Sequence, residues 1–414
     1  MTKDNSNTIT PIIRFQGFNG EWKKKKIGDI AIVLQGYGFP EKYQGQKYGD
    51  LPFCKVGDIS SAVDRGEMVI NKADNFVDYS LLPVLHAQPI PVGSTIFAKI
   101  GEAIRSNKRI KTGVPCLIDN NAAAVKSKGE ISDTFLFYLM SKVNLADYSG
   151  GIVPSVNKST IEAIDVLVPS SRDEQQKIAE CLEAIDQMIS AQNQKVESLK
   201  AHKKGLMQQF FPQPGATTPA LRFPGFTGDW QFVNGDKLFE PISNKKHNSD
   251  LPILALTQDQ GAVPREMINY NVVVSDKSVT GYKVVEVDDF IISLRSFQGG
   301  IEYSRYKGLC SPAYIVLRKK DKTLSSDFYR IYFKSFNYIQ NLNKNLEGIR
   351  DGKMISYQQF SEIMLPLPTA KEQIMIANCI SSLDEVILSE SQKLESLKTH
   401  KKGLMQQLFP QLQK

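Results

Sequence analysis

The chain contains one sequence plan twice, and this duplication limits its fold more than any other feature. Residues 202–213 read HKKGLMQQFFPQ and residues 400–411 read HKKGLMQQLFPQ, so eleven of twelve positions match at an offset of 198. The match extends backwards to Glu174-Gln175, which recurs as Glu372-Gln373. Such a period is far too long for stacked repeats of 20–50 residues, and it indicates that a whole domain is duplicated.

A second pair of similar blocks opens the two halves. Residues 13–22 read IRFQGFNGEW and residues 221–230 read LRFPGFTGDW, at an offset of 208. The bodies that follow show little similarity to each other, and the second is ten residues shorter. Similar ends around dissimilar bodies favour two related functions with different specificities. Neutral drift of one copy is the alternative, although drift would change the closing blocks as well.

The closing blocks have the apolar spacing of long helices that pair through a seam. In each copy the apolar residues follow one another at alternating steps of four and three, which is a heptad pattern sustained for more than four heptads. They are Ile178, Leu182, Ile185, Ile189, Val196, Leu199, Leu206 and Phe210 in the first copy, and Ile376, Ile380, Leu383, Ile387, Leu394, Leu397, Leu404 and Leu408 in the second. Polar residues interrupt both series at equivalent places, Gln192 and Lys203 in one and Glu390 and Lys401 in the other.

Each heptad series lies between proline-containing segments. Pro169 and Pro368 precede the helices, and Pro212 and Pro410 end them. A helix of 40 residues is about 60 Å long. An exposed apolar seam needs a partner, and the simplest partner is the other helix, with antiparallel pairing placing the two bodies at opposite ends. Packing of each helix on its own body is the alternative.

The bodies alternate short apolar runs with turn residues, which predicts an α+β fold with many short strands. Helices are expected at Ile131–Val143 and Phe328–Leu342. Strands are expected at Ile27–Leu34, Phe53–Ile59, Ser94–Ile100, Pro115–Ile118, Ala122–Val125, Val272–Val274, Tyr282–Leu294 and Tyr314–Leu317, and strand-like returns at Ser155–Pro169 and Ile355–Pro368.

One loop in each body concentrates basic and amide residues, which hold phosphates and read base edges. The candidate DNA-binding residues are Lys99, Arg105, Asn107, Lys108, Arg109 and Lys111 in the first body, and Arg295, Gln298, Tyr303, Arg305, Lys307, Arg350 and Lys353 in the second. A charge cluster is more often a solvated surface, so the loops alone do not establish DNA binding.

Composition and motifs exclude several classes of protein. The formal net charge of +7 is mildly basic and compatible with nucleic acid. Five dispersed Cys argue against a disulfide framework or a cysteine-rich zinc site, and the polar first ten residues predict no secretory signal, so we expect a cytoplasmic protein with reduced thiols. No apolar run is long enough for a membrane span. The phosphate-binding, GxSxG and HExxH motifs are absent, which predicts a non-catalytic chain without a metal site.

The duplicated plan resembles the DNA-specificity subunit of type I restriction–modification systems, over residues 13–411. The start of each helix carries the most specific motif, Val168-Pro169 to Glu174-Gln175 and Leu367-Pro368 to Glu372-Gln373. Further motifs similar to the family are Val56-Gly57-Asp58-Ile59, Phe97-Ala98-Lys99-Ile100-Gly101, Asp289-Phe290-Ile291-Ile292-Ser293, Arg295-Ser296, Gly299-Gly300-Ile301-Glu302-Tyr303-Ser304 and Ser311-Pro312-Ala313-Tyr314.

The resemblance implies an α+β chain with two globular target recognition domains separated by two long antiparallel helices, duplicated about a pseudo-twofold axis. The implied boundaries are a polar tail at 1–12, recognition domains at 13–171 and 221–369, spacer helices at 172–211 and 370–410, and a linker at 212–220. Each domain would read one half of an asymmetric double-stranded DNA site, and the helices would set the spacer.

The resemblance also implies partners. Two modification (methyltransferase) subunits would bind the helices and carry S-adenosylmethionine, while this chain itself binds no cofactor. Restriction (motor–nuclease) subunits would join the full complex. The rival from another class is a duplicated coiled-coil scaffold that holds two protein partners without reading DNA, and steep salt dependence of DNA binding would separate the two. An enzyme with an unusual active site is the third hypothesis.

Overall fold

The computed structural model describes residues 10–248, 250–268, 279–344 and 355–410. The chain divides into two compact units, and each takes one body together with a part of both long helices. Unit 1 comprises residues 1–196 and 390–414, and unit 2 comprises residues 197–389. None of the helices in the described ranges has an apolar stretch long enough to cross a bilayer.

Unit 1 contains the first body and the beginning of the first long helix. Its strands are β1 Lys23–Lys26, β2 Ala31–Gln35, β3 Leu51–Cys54, β4 Val69–Ile70, β5 Asn75–Val77, β6 Thr95–Ala98, β7 Ile110–Thr112, β8 Leu117–Ile118, β9 Ala122–Ser127 and β10 Asp165–Val168. Its helices are α1 Ile27–Ile30, α2 Val56–Asp64, α3 Leu82–Leu85, α4 Asp133–Lys142, α5 Lys158–Ala163 and the long α6 Arg172–Phe210, which continues into unit 2.

Unit 2 contains the second body and the beginning of the second long helix. Its strands are β11 Gln231–Asn234, β12 Phe239–Ile242, β13 Leu254–Thr257, β14 Gly261–Pro264, β15 Lys283–Val285, β16 Phe290–Ile292, β17 Glu302–Tyr303, β18 Gly308–Cys310, β19 Ile315–Lys319 and β20 Met364–Leu367. Its helices are α7 Gly235–Leu238, α8 Ser296–Gly299, α9 Ser326–Tyr332, α10 Phe336–Lys344, α11 Tyr357–Glu362 and the long α12 Ala370–Leu408, which continues into unit 1.

The two bodies share a core topology although their sequences differ. In unit 1 the five-stranded sheet has the order β2-β9-β6-β7-β4, beside a three-stranded sheet β5-β3-β8. In unit 2 the four-stranded sheet has the order β12-β19-β16-β17. The antiparallel core β2-β9-β6 therefore corresponds to β12-β19-β16. The duplication predicted from the ends of the repeats extends through the interior of the bodies.

Each body closes with the same antiparallel strand pair before its long helix. β1 pairs with β10 in the register Lys23 to Val168, and β11 pairs with β20 in the register Gln231 to Leu367. The N-terminal strand therefore contacts the segment that leads directly into the helix, which ties the two ends of the body together.

A partly exposed arginine paired with a buried glutamate fixes the opening block of each repeat to the start of its helix. In unit 1 the Arg14 guanidinium donates to both carboxylate oxygens of Glu174, each at 2.7 Å. In unit 2 Arg222 donates to both oxygens of Glu372, at 2.7 and 2.9 Å. This bidentate geometry is strong and directional. It accounts for the presence of the arginine in both opening blocks and of the glutamate in both helix starts.

The ends of the long helices complete the apolar cores. In unit 1 Phe409 meets the Trp22 ring edge to face at 5.8 Å, and Trp22 in turn contacts Phe135 of α4. In unit 2 the repeat equivalent Phe211 meets Phe328 of α9 edge to face at 5.7 Å. These aromatic contacts bury the matched end of each helix in a core.

Within each unit the two helix segments run antiparallel, and the polar interruptions of the heptads pair with polar groups. In unit 1 Lys401 donates to Asp186 at 2.5 Å. In unit 2 the repeat equivalents Lys203 and Asp384 form the same pair at 2.5 Å. The predicted pairing of the helices is confirmed by these contacts, and packing on the bodies accompanies it rather than replacing it.

Several local predictions are wrong. The expected strand Phe53–Ile59 is divided, because Val56–Asp64 is helical. The expected strand Ile27–Leu34 begins with a helical turn, Ile27–Ile30, before β2. The expected helix Phe328–Leu342 is two helices, and the expected strand Tyr282–Leu294 is two strands.

The returns Ser155–Pro169 and Ile355–Pro368 each begin with a helix, α5 or α11, before the strand. The Asn157 side chain accepts from the Thr160 amide at 2.8 Å, and Ser356 caps α11 in the same way. A capping side chain satisfies the free amides that begin a helix. The predicted strand Val272–Val274 lies outside the described residues.

Candidate nucleic-acid interface

The candidate residues of the first body lie on the loop between β6 and β7 and on β7 itself. Arg105 is exposed and pairs with Glu102 at 3.0 Å. Lys108 is half-buried and pairs with Asp64, at the end of α2, at 2.7 Å. The two cations thus lie near the surface, each beside a carboxylate that is itself exposed. A phosphate would compete with both carboxylates for these cations.

Lys99 and Asn107 are held by contacts inside the loop region. The Lys99 ammonium donates to the side-chain oxygen of Gln35, and burial lowers the pKa of Lys99. Asn107 adopts a left-handed backbone conformation with φ of 50°, and its amide nitrogen donates to the Ser141 carbonyl at 3.3 Å. These contacts shape the loop that presents Arg105.

Arg109 and Lys111 lie below the surface. Arg109 is 7% exposed, its guanidinium lies 4.8 Å from the centre of the Phe97 ring, and it donates to Asn107 Oδ1 at 2.7 Å. Burial lowers the pKa of Arg109 to about 9. Lys111 is also buried and pairs with Glu183 of α6 at 2.7 Å. Both side chains are engaged within unit 1, where they support the loop from beneath.

Most described candidates of the second body are exposed. Arg295, Gln298, Arg305 and Lys307 are exposed, and Lys307 pairs with Glu286 at 3.0 Å. The half-buried Tyr303 hydroxyl donates to Asp288, and burial raises the pKa of Tyr303. Arg350 and Lys353 lie outside the described residues.

Arg295 lies on the rim of a groove of about 820 Å³ in unit 2. The groove brings together the β13–β14 hairpin, the turn at α8 and strand β17. Three polar residues that are not among the candidate DNA-binding residues from the sequence, Gln258, Arg265 and Glu302, also line it. They are far apart in the chain, and sheet pairing brings them together, so no linear motif could have found them as a set.

The two candidate surfaces are therefore built differently on a shared core. The first is a short loop supported by buried cations, whereas the second is a polar groove. Among the described residues no group of three or more His, Cys, Asp or Glu side chains could hold a metal ion. What the surfaces offer is hydrogen-bonding and charged groups suited to a polyanion.

The sequence matches one family model twice. The model of the type I restriction modification DNA specificity domain matches residues 19–201 and residues 228–399. Each match includes one body and most of the long helix that follows it, so the two matches reproduce the two repeats found in the sequence.

Curated relatives match along nearly the whole chain. The putative type I restriction enzyme MjaX specificity subunit of Methanocaldococcus jannaschii is 24% identical over 416 residues, which cover 94% of this chain and 93% of that protein. The type I restriction enzyme MjaVIII specificity subunit of the same organism is 24% identical over 412 residues, covering 94% and 92%.

Two solved structures share the fold. The S subunit of a type I restriction–modification system from M. genitalium has a TM-score of 0.59 at 13% identity, covering 98% of this chain and 100% of that one. A chain from a study of complex assembly and conformational transition of the type I R-M system has a TM-score of 0.53 at 16% identity, covering 94% and 97%. Because the family model matches both repeats and so most of the chain, the chain belongs to the family of type I restriction–modification DNA specificity subunits.

Proposed function

We propose that each of the two bodies reads one half of an asymmetric, bipartite double-stranded DNA site for a type I restriction–modification complex. The observation that carries the proposal is the shared core, β2-β9-β6 in one body and β12-β19-β16 in the other, under different polar surfaces. Two bodies that share a core fold but present different polar surfaces are suited to a DNA site whose two halves differ in sequence.

The exposed and half-buried cations of the two surfaces support contact with DNA. Arg105 and Lys108 in the first body, and Arg295 and Arg305 in the second, carry charges within reach of solvent. Arginine and lysine position a protein on the phosphate backbone, and arginine also reads guanine. Arg109 and Lys111 would act from beneath by holding the first loop in place.

The long helices would set the spacer between the half-sites and bind two methyltransferase subunits. Met188 on the first helix and Val386 on the second are repeat equivalents, and both are exposed, by 55% and 45%. Exposed apolar side chains at matched positions suit two copies of one partner. Those subunits would bring S-adenosylmethionine and the methylation chemistry, and restriction subunits would join for cleavage. This chain would contribute recognition and no catalytic group.

A scaffold that holds two proteins without reading DNA is not favoured, because the matched family is one of DNA specificity domains. DNA binding measured between about 50 and 200 mM salt separates the two functions. A phosphate-dominated complex loses affinity steeply across this range. A scaffold without DNA contacts would show no such specific binding at either concentration.

The test of the proposed function is the set of methylated bases in the host genome with and without this gene. One split motif with methylated adenine on both strands should disappear when the gene is removed, and its two halves and spacer are then read directly. If the partner subunits are expressed and no motif disappears, the proposal is wrong.

Variants then assign each half-site to a body. Arg105→Ala should weaken recognition of one half-site and Arg295→Ala that of the other, by roughly tenfold or more for loss of a base or phosphate contact. Arg65→Ala is the matched control, because Arg65 is similarly exposed and pairs with a carboxylate, Glu67, at 2.7 Å, outside the candidate loop. Equal loss of both halves by either variant would contradict the two-reader assignment.

A further inference from the structure

We infer that Glu302 reads a base in the half-site recognised by the second body, by accepting a hydrogen bond from the exocyclic amino group of cytosine or adenine. The inference rests on the proposed function and adds to it a specificity-determining residue on strand β17. It concerns a carboxylate, whereas the candidates from the sequence are cations, amides and a tyrosine.

The Glu302 carboxylate is buried with only one oxygen engaged. Glu302 is 4% exposed. Its Oε1 accepts from the Lys334 ammonium at 2.6 Å. Its Oε2 has no hydrogen-bond partner among the described residues. A buried acceptor without a partner destabilises the folded chain. Oε2 is itself buried, so a ligand reaches it only where a side chain that lines the groove moves aside, and a donor that does so would satisfy this oxygen.

The lining of the groove suits the edge of a nucleic acid. Glu302 lines the groove of about 820 Å³ together with Arg265, Arg295 and Gln258. The two guanidinium groups attract a polyanion into the groove, and the amide of Gln258 is able to donate and accept. Glu302 provides the anionic acceptor within this otherwise cationic and neutral set.

An acidic residue in a DNA-binding groove lowers the overall affinity for DNA because it repels phosphates. Its role there would be to discriminate between bases. An ionised carboxylate only accepts hydrogen bonds. In the major groove, cytosine N4 and adenine N6 are the donors, whereas guanine and thymine present acceptors at the corresponding positions. Glu302 would thus favour an amino-bearing base and disfavour guanine or thymine at one base pair.

Lys334 fixes the orientation of the carboxylate. Its ammonium donates both to Glu302 Oε1 and to the Gly299 carbonyl, at 2.6 and 2.8 Å. The neighbouring turn passes close to this site, because Gly300 has φ of +80° and a Cβ there would lie 2.0 Å from the Phe333 carbonyl oxygen. The lysine holds one oxygen, and this leaves the other as the acceptor for the base.

The experiment replaces Glu302 by Gln in the full chain, assembled with its methyltransferase partners in the host, and maps the methylated motif. Glu302→Gln retains the shape of the side chain and an oxygen for Lys334, but presents an amide donor in place of Oε2. We expect the preference for cytosine or adenine to fall about tenfold at one position of the second half-site, with the first half-site unchanged. The base that loses preference identifies which amino group is read.

The matched control is Asp289→Asn in the same unit. Asp289 is 1% exposed, and Arg318 occupies both of its oxygens at 2.7 Å. This variant also neutralises a buried carboxylate, so it should lower stability without changing the motif. If Glu302→Gln does not accumulate as folded protein, Glu302→Asp serves instead, since it withdraws the carboxylate by one methylene and should lose the same preference.

The outcomes separate this inference from the proposed function. If the wild-type chain specifies no split motif, the proposed function fails first. If the wild-type motif is present and a folded Glu302 variant leaves every position of both half-sites unchanged, the proposed function stands and the role of Glu302 as a reader is overturned. A change at the same position in Asp289→Asn would also overturn it, because stability would then explain the effect.

Discussion

Gln192 and Glu390 occupy equivalent positions in the two repeats, and they are hydrogen-bonded to each other. Gln192 Nε2 donates to the Glu390 carboxylate at 2.6 Å and to its backbone carbonyl at 2.9 Å. Lys195 also donates to this carboxylate at 2.6 Å, and the two contacts lower the pKa of Glu390. Two copies of the second helix in the same register would place Glu390 against Glu390, so the unlike pair favours association of the two different helices.

Replacing Gln192 by Leu is expected to lower the urea midpoint of unit 1, although it extends the apolar seam. The variant removes two hydrogen bonds to Glu390 and places an apolar side chain against a carboxylate. The double variant Gln192→Leu with Glu390→Leu should unfold at a higher midpoint than wild type, because it completes the seam. Urea unfolding of both proteins checks this, and a single variant as stable as the double would argue against the pairing.

Lys401→Met should destabilise the protein more than its repeat equivalent Lys203→Met. Lys401 pairs with Asp186, whose side chain is 8% exposed and also accepts from the Tyr138 hydroxyl at 2.8 Å. Removing one partner of a buried pair costs about 3 kcal/mol. Lys203 pairs with Asp384, whose side chain is 35% exposed, and loss of that pair should cost about 1 kcal/mol or less.

The two lysine variants control for each other, because they make the same substitution at equivalent helix positions. Hydrogen exchange in urea reports each unit separately, with Lys401→Met affecting unit 1 and Lys203→Met affecting unit 2. Equal losses in the two units would show that the buried Asp186–Tyr138 contact adds nothing to the lysine pair.

Arg109→Met should change how stability depends on pH. Burial lowers the pKa of Arg109 to about 9, whereas the ordinary value is 12.5. The folded chain therefore binds fewer protons than the unfolded chain between these values, and wild-type stability gains from Arg109 as pH rises above 9. The free energy of unfolding of the variant should therefore fall relative to that of wild type as the pH rises from 8 to 10.

Urea unfolding at the two pH values measures this difference, with the same substitution at the exposed Arg105 as the control. The methylated motif of the same variant distinguishes two roles for Arg109. A stable Arg109→Met chain that loses one half-site would make Arg109 a direct reader, while retention of the motif would make it a support of the loop.

The long helices could be predicted from the sequence because their order is local and periodic. The heptad steps from Ile178 to Phe210 predict a helix at 172–211, and the structure has Arg172–Phe210. The polar interruptions were visible as well, but their partners were not. Lys203 meets Asp384, which lies 181 positions away. Which residues meet across the seam depends on the antiparallel register of the helices, and the sequence alone does not show that register.

The bodies were harder to predict, since apolar runs do not reveal where a capped helix begins. The run Phe53–Ile59 suggests one strand, yet the Asp58 carboxylate accepts from the Lys55 amide at 2.8 Å and a helix begins at Val56. Ser356 and Gln359 form the capping box whose spacing is recognisable in a sequence. The groove lined by Gln258, Arg265 and Glu302 had no such signal, because it exists only once the strands are paired.

The length of the two long helices is expected to set the spacer between the half-sites. Inserting four residues after Gln192 and four after Glu390 adds about 6 Å to each helix. The insertions lie at equivalent positions of an antiparallel pair, so the Asp186–Lys401 and Lys203–Asp384 contacts should re-form within their own units. The methylated motif should keep both half-sites, and its spacer should lengthen by one or two base pairs, at about 3.4 Å each.

An insertion in the first helix alone provides the control. It shifts one helix against the other by about one turn, so the polar pairs on one side of the insertion lose their partners and apolar positions face polar ones. This variant should be less stable and should methylate poorly at any spacing. If the paired insertion instead leaves the spacer unchanged, the distance between the half-sites is set by something other than helix length, and the role of the helices reduces to holding the bodies and the partner subunits.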